Sequence, residues 1–454
     1  MVMRDALVEI TEWAGGGLAA RLFRCRVDNQ DFDYPNALTF QPLTLDPAKL
    51  PPLDTVANVE EYGTKIRSEL ASHPAIKAEL TQIFGAPADA LLKFFISLPA
   101  GEQYRWEALC ESPPRKFLAH ECAVSRLASM NDNPADVRMF SGLIRMAAFL
   151  SPAQIPAANE FASIVTQVAA ARAAGLNVEC TIYLGDENLL TPPAAGWPAG
   201  VKVAPIPGDV EAMDRLLVEK PVEILHFFCH GVATVGLQAL EFANINDTDI
   251  EAKSGSVAVS LERLNQILML TKTTWLTVLN CCSGGKVVAR LHSMARTLTK
   301  RGSPVTIGMA EPILDTDAST FSSAFYEKLF AMMRDCLVGA APNSLVMLDC
   351  ASAVIEARRR VHNKYLVAPP DAFGRWTLPL LYERGAPLVV KLVPAEVTID
   401  PEMKRRIDTV AGMLRVLPPT TPANMRKDIL GLLDNDPKVP AEFRPNAFGV
   451  IGAA

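Results

Sequence analysis

Two segments of the sequence end on side chains that can carry out nucleophilic chemistry. The stretch from Thr274 to Lys286 reads as a buried strand that runs into Cys281, Cys282 and a Ser-Gly-Gly turn before a helix. The stretch VEILHFFCHG, from Val222 to Gly231, reads as a second strand that ends on His230. A cysteine at a strand-to-helix turn lies near a helix amino terminus, which favours its thiolate. We therefore expect Cys282 to be a nucleophile and His230 to be its base and later acid.

Attack of a thiolate on a carbonyl also needs donors for the oxyanion that develops. The backbone N–H groups of Gly231 and Cys282 are placed in the sequence to supply them, because glycine lets a carbonyl approach closely. Successive side chains of a strand face opposite ways, so only one of Cys281 and Cys282 can face His230. His226 lies inside its strand and is expected to be a hydrogen-bonded core residue.

The same segments carry metal and phosphate ligands, but at unsuitable spacings. Zinc ligands lie about 2 Å from one ion, whereas four residues of strand separate His226 from His230 by about 13 Å. A phosphate loop needs an earlier glycine and a Ser or Thr after Lys286, where the sequence has Asn280 and Val287. The sequence therefore predicts neither a metal nor a bound cofactor.

The composition indicates a globular protein and argues against several functional classes. The chain has 454 residues, of which 49% are apolar and 21% charged, and its formal net charge is −6. With this balance no basic stripe argues for nucleic acid, and local basic patches remain open. We find no secretion signal at the start and no apolar run long enough for a membrane span. Nine cysteines without a framework spacing indicate a reduced, cytoplasmic protein.

Strand and helix patterns alternate along the chain. A hairpin pattern at 6–27 and a helical pattern at 54–84 come first. Later predicted strands are 143–150, 178–184, 305–309 and 376–382, and later predicted helices are 159–174, 209–219, 287–300, 317–333 and 343–361. This alternation predicts an α/β fold with a mostly parallel sheet and helices on both faces. Such sheets bind ligands beyond the carboxyl ends of their strands, where His230 and Cys282 lie.

We expect three regions in the chain. Residues 1–135 form an N-terminal α+β part, with the polar cluster Asn131–Pro134 at its boundary. Residues 136–387 form the core with the two proposed catalytic groups. Residues 388–454 form a small helical extension whose apolar stripes cannot bury themselves, so it packs on the body or binds a partner.

Several blocks of the sequence resemble the CHAT family, caspase-like peptidases of the caspase and separase clan. LHFFCHG at 225–231 looks like the family's histidine block, and LNCCSGG at 279–285 looks like its cysteine block. Tyr104 to Leu109 is similar to the family's Pro-Trp-Glu-x-Leu segment, with Arg105 where proline is usual. In caspase-type proteases the cysteine follows the histidine by about 50 residues, and here 282 minus 230 is 52.

The resemblance implies a caspase-like α/β sandwich in which residues 1–135 are a pseudo-caspase-like part. It implies peptide hydrolysis by Cys282 and His230 without a cofactor. It also implies a protein substrate and a frequent place in bacterial defence, with gasdermin-like or CRISPR-linked targets. We expect residues 388–454 to bind an activator or to hold the protease inactive until one binds.

Three residues are candidates for the substrate pocket. Asn280 stands where metacaspases of the same clan have an Asp, so it favours a residue other than Arg or Lys before the scissile bond. Asp315 and Asp317 are the other candidates, although the start of a predicted helix also explains acidic residues at these positions.

Two alternatives to the protease remain open at this point. One is an inactive CHAT scaffold that serves only protein interaction, and the other is a sensor that binds a nucleotide signal at the Gly-Gly-Lys turn. The presence of Cys282, His230 and the neighbouring glycines favours the enzyme.

Overall fold

The computed structural model describes most of the chain, with several gaps. The described residues are 3–14, 16–130, 137–151, 156–234, 237–247, 256–280, 291–367, 370–393, 405–406, 409–410 and 422–434. Residues 281–290, which include Cys281 and Cys282, lie outside them.

The elements alternate between strands and helices in chain order. The strands are β1 (Arg4–Glu12), β2 (Leu18–Val27), β3 (Gln30–Asp31), β4 (Gln41–Leu43), β5 (Ala90–Ile96), β6 (Cys110–Glu111), β7 (Lys116–Phe117), β8 (Ala123–Leu127), β9 (Val137–Phe140), β10 (Ile144–Leu150), β11 (Val178–Leu184), β12 (Val201–Pro205), β13 (Ile224–Phe228), β14 (His230–Thr234), β15 (Leu237–Phe242), β16 (Val257–Ser260), β17 (Leu276–Leu279), β18 (Val305–Met309), β19 (Leu345–Met347), β20 (Pro379–Glu383) and β21 (Val389–Leu392). The helices are α1 (Val56–Leu70), α2 (Pro74–Gly85), α3 (Pro99–Glu102), α4 (Ala158–Ala173), α5 (Val210–Glu219), α6 (Leu261–Thr271), α7 (Leu291–Arg301), α8 (Asp315–Leu337), α9 (Ala351–Tyr365) and α10 (Ala423–Asp434).

Among the described residues, thirteen strands form one large sheet. Its order is β12-β11-β10-β13-β17-β18-β20-β8-β5-β1-β2-β3, and β4 pairs with β2. The strands from β12 to β18 are parallel to one another. The direction reverses between β18 and β20, and β20, β8, β5 and β1 are again mutually parallel. The carboxyl ends of β10, β13, β17 and β18 therefore lie on one edge, where β20 begins.

Helices cover both faces of this sheet. His226 on β13 contacts α4 and α8 through Glu160 and Tyr326. His226 is in register with Val278 and Ile307, so Gly308, the next residue of β18, faces the opposite side of the sheet. A Cβ added to Gly308 would lie 2.6 Å from the Cβ of Ala295 on α7. α7 thus packs on the face opposite to α4 and α8, so closely that β18 needs a glycine.

A buried arginine joins the early and late parts of the sheet. Arg126 on β8 donates from Nε and Nη2 to the two carboxylate oxygens of Glu107, at 3.0 and 2.9 Å. Its Nη1 donates to Glu102 Oε2 at 2.6 Å, and the Tyr382 hydroxyl on β20 donates to the same oxygen at 2.8 Å. The Trp-Glu pair of the segment 104–109 therefore has a structural role here, because Glu107 neutralises a guanidinium inside the core.

Three smaller sheets accompany the large one in the described part of the chain, and the smallest pairs β6 with β7. β14, β15 and β16 form an antiparallel sheet that follows β13 directly, and β9, β21 and β19 form another. The prediction of a helix from residue 343 was wrong, because Asn343 has a left-handed φ of 62°, residues 345–347 form β19, and α9 begins only at Ala351. The strand predicted from Trp376 also begins later, at Pro379, after 3-10 turns at Pro370–Thr377.

The architecture confirms the predicted fold class, an α/β protein with a large, mostly parallel central sheet between two helical layers. The N-terminal part contributes β1, β2, β5 and β8 to the same sheet as the core. The proposed boundaries after residues 135 and 387 stay predictions.

Candidate active site

The two strands predicted to carry the catalytic groups are neighbours in the sheet. β13 and β17 pair in parallel, from Ile224 with Leu276 to Phe227 with Leu279. Their carboxyl ends therefore lie side by side, about 5 Å apart. Open parallel sheets bind their ligands at this edge.

His230 lies immediately beyond the end of β13. The backbone bends at Cys229, and His230 begins β14 with an exposed fraction of 6%. Glu241 on β15 is its direct partner across the small sheet. Burial raises the pKa of the Glu241 carboxyl, while the charge of His230 acts in the opposite direction. Sequence reasoning missed Glu241, although a single acid between Leu240 and Phe242 was a visible signal.

Gly231 occupies the next position of β14. It is buried and is paired with Leu240 of β15. Cys282, the predicted nucleophile and second oxyanion donor, lies outside the described residues, as does Cys281. The structure therefore describes the histidine side of the predicted site, and it describes the cysteine side only as far as Asn280.

Asn280 follows β17 and is fully buried. Its backbone N–H donates to Phe227 O at 2.8 Å. Its side-chain Nδ2 donates to Glu160 Oε1 at 3.0 Å and to Ser322 Oγ at 3.2 Å. Asn280 is thus fixed between β13 and the helices α4 and α8, and this burial does not favour the role in a substrate pocket that the sequence suggested.

His226 belongs to the same buried cluster. Its Nε2 lies 3.0 Å from Glu160 Oε1, and its Nδ1 lies 2.9 Å from the Tyr326 hydroxyl. Burial, followed by the charge of Glu160, raises the pKa of Tyr326 well above its ordinary value, so this hydroxyl stays protonated and can donate to Nδ1. His226 is therefore a hydrogen-bonded core residue, as its position inside the strand predicted.

The two predicted pocket aspartates lie in the first turn of α8, after the N-cap Leu314. Asp317 is fully buried, and the Tyr365 hydroxyl and Lys364 Nζ each donate to it at 2.7 Å. These hydrogen bonds connect α8 to α9, so the Asp317 carboxylate already has partners inside the protein. Asp315 is half-buried and accepts from Asn159 Nδ2 at 3.3 Å.

Most of the described cysteines are buried and poorly nucleophilic. Burial raises the pKa of Cys25 and of Cys122 to about 12 and that of Cys110 to about 11. Cys336 on α8 is exposed. Since the thiolate is the reactive form, the buried thiols provide a slow background against which a reactive cysteine stands out.

The described part of the chain contains no group of three or more His, Cys, Asp or Glu side chains arranged to hold a metal ion. Among the helices that the structure describes, we find none with the length and apolar character needed to cross a membrane.

Comparison with known proteins places the chain in a family. No curated protein matches it. Two solved structures of the Saccharomyces cerevisiae separase–securin complex resemble it at 14% and 13% identity, both with a TM-score of 0.34. They cover 67% and 66% of this chain, but this chain spans only 16% and 15% of the matched chains. The family model of the CHAT domain matches residues 60–365, which is well over half of the sequence. The chain therefore belongs to the CHAT domain family.

Proposed function

We propose that this CHAT protein is a regulated cysteine endopeptidase in which Cys282 attacks the peptide carbonyl and His230 transfers the protons. The strand register carries this proposal. β13 and β17 pair residues whose numbers differ by 52, as 276 minus 224 and 279 minus 227 both show. His230 and Cys282 differ by the same 52 positions, so they follow two paired strands at equivalent places in the sequence.

The proposed reaction has two halves. His230 takes the proton of the Cys282 thiol, the sulfur–carbon bond forms, and the N–H groups of Gly231 and Cys282 hold the oxyanion. His230 then protonates the leaving amine as the carbon–nitrogen bond breaks, and water, deprotonated by His230, hydrolyses the thioester. Glu241, the direct strand partner of His230, lies on the same face of the small sheet and is the proposed group that orients the imidazole.

Asn280 has a different role in this proposal from a pocket residue. Its bonds to Phe227, Glu160 and Ser322 fix the backbone just before Cys281. Asn280 thus acts as a positioning residue for the segment that carries the nucleophile. Asp315 remains a candidate for the substrate pocket, and the preference for a non-basic residue before the scissile bond remains a prediction.

The proposed substrate is a specific protein, and the proposed setting is a bacterial defence or cell-death pathway in the cytoplasm with gasdermin-like or CRISPR-linked targets. This part rests on the family resemblance. Residues 388–454 are the proposed contact for an activator. They include α10, on which Met425 and Leu432 are 52% and 63% exposed and so offer apolar surface to a partner.

Selective alkylation tests the proposed dyad. The intact protein is treated briefly with iodoacetamide near neutral pH, and labelling of each cysteine is followed by peptide mass spectrometry. An imidazole-activated Cys282 is expected to react at least about tenfold faster than the exposed Cys336. His230→Ala should remove this advantage, whereas Cys281→Ser should keep it.

A scaffold without catalytic function would behave differently in the same experiment. Cys282 would then react no faster than Cys336, and His230→Ala would leave its rate unchanged. That result would contradict the proposal and favour the interaction module.

A further inference from the structure

A pocket of about 460 Å³ lies at the edge of the large sheet opposite to the proposed active site. Its walls come from Phe95 near the end of β5, from residues 128–130 after β8, and from the last turns of α7. β5 and β8 run opposite to β13 and β17, so their carboxyl ends reach the other edge of the sheet. This pocket is therefore separate from the catalytic edge.

Positively charged side chains line the pocket, although the protein as a whole is acidic. Arg296, Lys300 and Arg301 line it, and no Asp or Glu is among the described residues that line it. Burial, followed by the charges of Arg296 and Arg301, lowers the pKa of Lys300. The formal net charge of the whole chain is −6. Three crowded cations that repel one another gain stability from a bound anion.

Arg296 pairs with Glu102 only at a long distance, and Glu102 has a closer cation in Arg126. Glu102 Oε1 lies 3.5 Å from Arg296 Nη1, but Glu102 Oε2 is held by Arg126 and Tyr382 at 2.6 and 2.8 Å. The charge of Glu102 is thus shared with a closer cation. The Nε–H of Arg296 is also buried and lacks an acceptor within the described part of the chain. A buried donor without an acceptor is unfavourable, and an added anion would relieve it.

The helix dipole explains only part of this cluster. Lys300 and Arg301 are in the last turn of α7, where cations are favoured. Arg296 lies one turn earlier, on the same helix face as Lys300. Its guanidinium side chain is only 16% exposed, so it is held in the pocket wall and is not a freely solvated group.

We propose that the pocket lined by Arg296, Lys300 and Arg301 binds a small multivalent phosphate anion. Guanidinium and ammonium groups bind phosphate oxygens through charge-assisted hydrogen bonds. The apolar surface of Phe95 and Met130 beside the cations accommodates the organic part of a phosphate ester. This binding does not depend on Cys282 or His230.

Calorimetric titration of the full chain with pyrophosphate tests the site. Ionic strength is held constant with chloride, because added salt screens the attraction. Saturable binding at one site is expected. The double variant Lys300→Gln/Arg301→Gln should weaken it by about tenfold or more through the loss of two charged donors. Both residues are exposed, so the fold should tolerate the change.

A matched control removes two exposed charges elsewhere. Lys202→Gln/Lys328→Gln has the same change in net charge, but its positions lie on β12 and α8. It should leave the affinity within about twofold. Equal weakening by the two double variants, or no saturable binding at about 10 mM pyrophosphate, would overturn the proposal.

A third arm distinguishes the source of the phosphate. Adenosine monophosphate is compared with inorganic phosphate on the same protein. Tighter binding of the nucleotide supports an ester ligand that contacts Phe95 and Met130, whereas equal affinity supports the free anion.

Discussion

Glu160 holds together side chains that are far apart in the sequence. Its Oε1 accepts from Asn280 at 3.0 Å and from Ser322 at 2.5 Å, and His226 Nε2 lies 3.0 Å from it. Asn280 and Ser322 are 120 and 162 residues from Glu160, so no local pattern reveals this cluster. Its effect is to fix the end of β17 just before the two adjacent cysteines.

Asn280→Ala tests this role. The variant removes the donor to Glu160 and Ser322 in a fully buried place, so we predict a loss of about 1–3 kcal/mol in the free energy of unfolding. Urea denaturation measures it. Asn188→Ala, at an exposed Asn on a surface turn, serves as the control. An equal small effect at both sites would show that Asn280 has no special anchoring role.

His120 is a half-buried polar residue with a measurable consequence. Its ring centroid lies 4.2 Å from that of Trp376 and 4.4 Å from that of His362. Burial, followed by the charge of His362, lowers the pKa of His120 from an ordinary value of 6.5 to about 2. The unfolded chain therefore takes up a proton on His120 at a pH where the folded chain does not.

This difference predicts that acid weakens the fold. The stabilisation that neutral His120 provides to the folded state is fully present above pH 6.5. It is lost progressively as the pH falls from 6.5 toward the folded-state pKa. From pH 6.5 to about pH 5, the wild-type free energy of unfolding should fall by about 1 kcal/mol per pH unit more than that of His120→Phe. Urea denaturation followed by tryptophan fluorescence measures both. Parallel pH profiles would contradict the prediction.

Close packing between elements depends on Gly63. α1 crosses the 3-10 turn Trp106–Ala108 at this glycine, where an added Cβ would lie 1.9 Å from the carbonyl oxygen of Ala108. The contact brings α1 against the turn that carries Glu107. Gly85, at the end of α2, has no atom within 4 Å of an added Cβ.

Gly63→Ala is predicted to destabilise the protein by about 1–3 kcal/mol, because backbone and Cys110 must move to admit the methyl group. The higher helix propensity of alanine offsets only about 1 kcal/mol of this. Gly85→Ala is the control and should be neutral or slightly stabilising. Thermal denaturation of both variants provides the comparison, and a neutral Gly63→Ala would be inconsistent with the packing.

Individual elements were more predictable from the sequence than their partners. The strand 178–184 was predicted to the residue, and the helix at 159–174 differs by one residue at each end. Periodicity and the glycine after the helix carry this local information. The pairing of β20 with β8 joins Tyr382 to Arg126, and such distant pairing leaves no local signal. β9 was missed because it is short and its pairing partner among the described strands is the distant β21.

The candidate site was predictable in part for the same reason. His230 and Gly231 could be predicted as site residues because strand, turn and residue type coincide in one stretch. The roles of Asn280 and Asp317 depend on Glu160, Ser322 and Tyr365, which come from other helices. Sequence position alone could not show that their side chains are buried and already bonded.

The whole molecule is organised around one sheet that both halves of the chain build. Arg126 lies at the joint, where β8 meets β20, and it is 1% exposed. Two carboxylates from the N-terminal part neutralise it, and Tyr382 from the core shares one of them. The joint therefore couples the N-terminal part to the core.

Arg126→Met should destabilise the entire fold. The substitution leaves Glu102 and Glu107 buried without their main cation, which costs about 3–5 kcal/mol. Arg26→Met, which breaks the exposed pair with Asp31, is the control and should have little effect. Chemical denaturation compares the two. A small loss for Arg126→Met would mean that the joint is held by the strand pairing alone.

The proposed active site requires residues 230 and 282 to lie next to each other. His230→Cys in a Cys281→Ser background places two thiols at these positions, and a disulfide forms without backbone movement only if their Cα atoms are within about 7 Å. We predict that mild oxidation of the folded protein links 230 to 282 in high yield, as peptide mass spectrometry would show. Val232→Cys in the same background, two residues further along β14, should link poorly. Absence of the 230–282 link, or an equal yield from Val232→Cys, would contradict the proposed dyad.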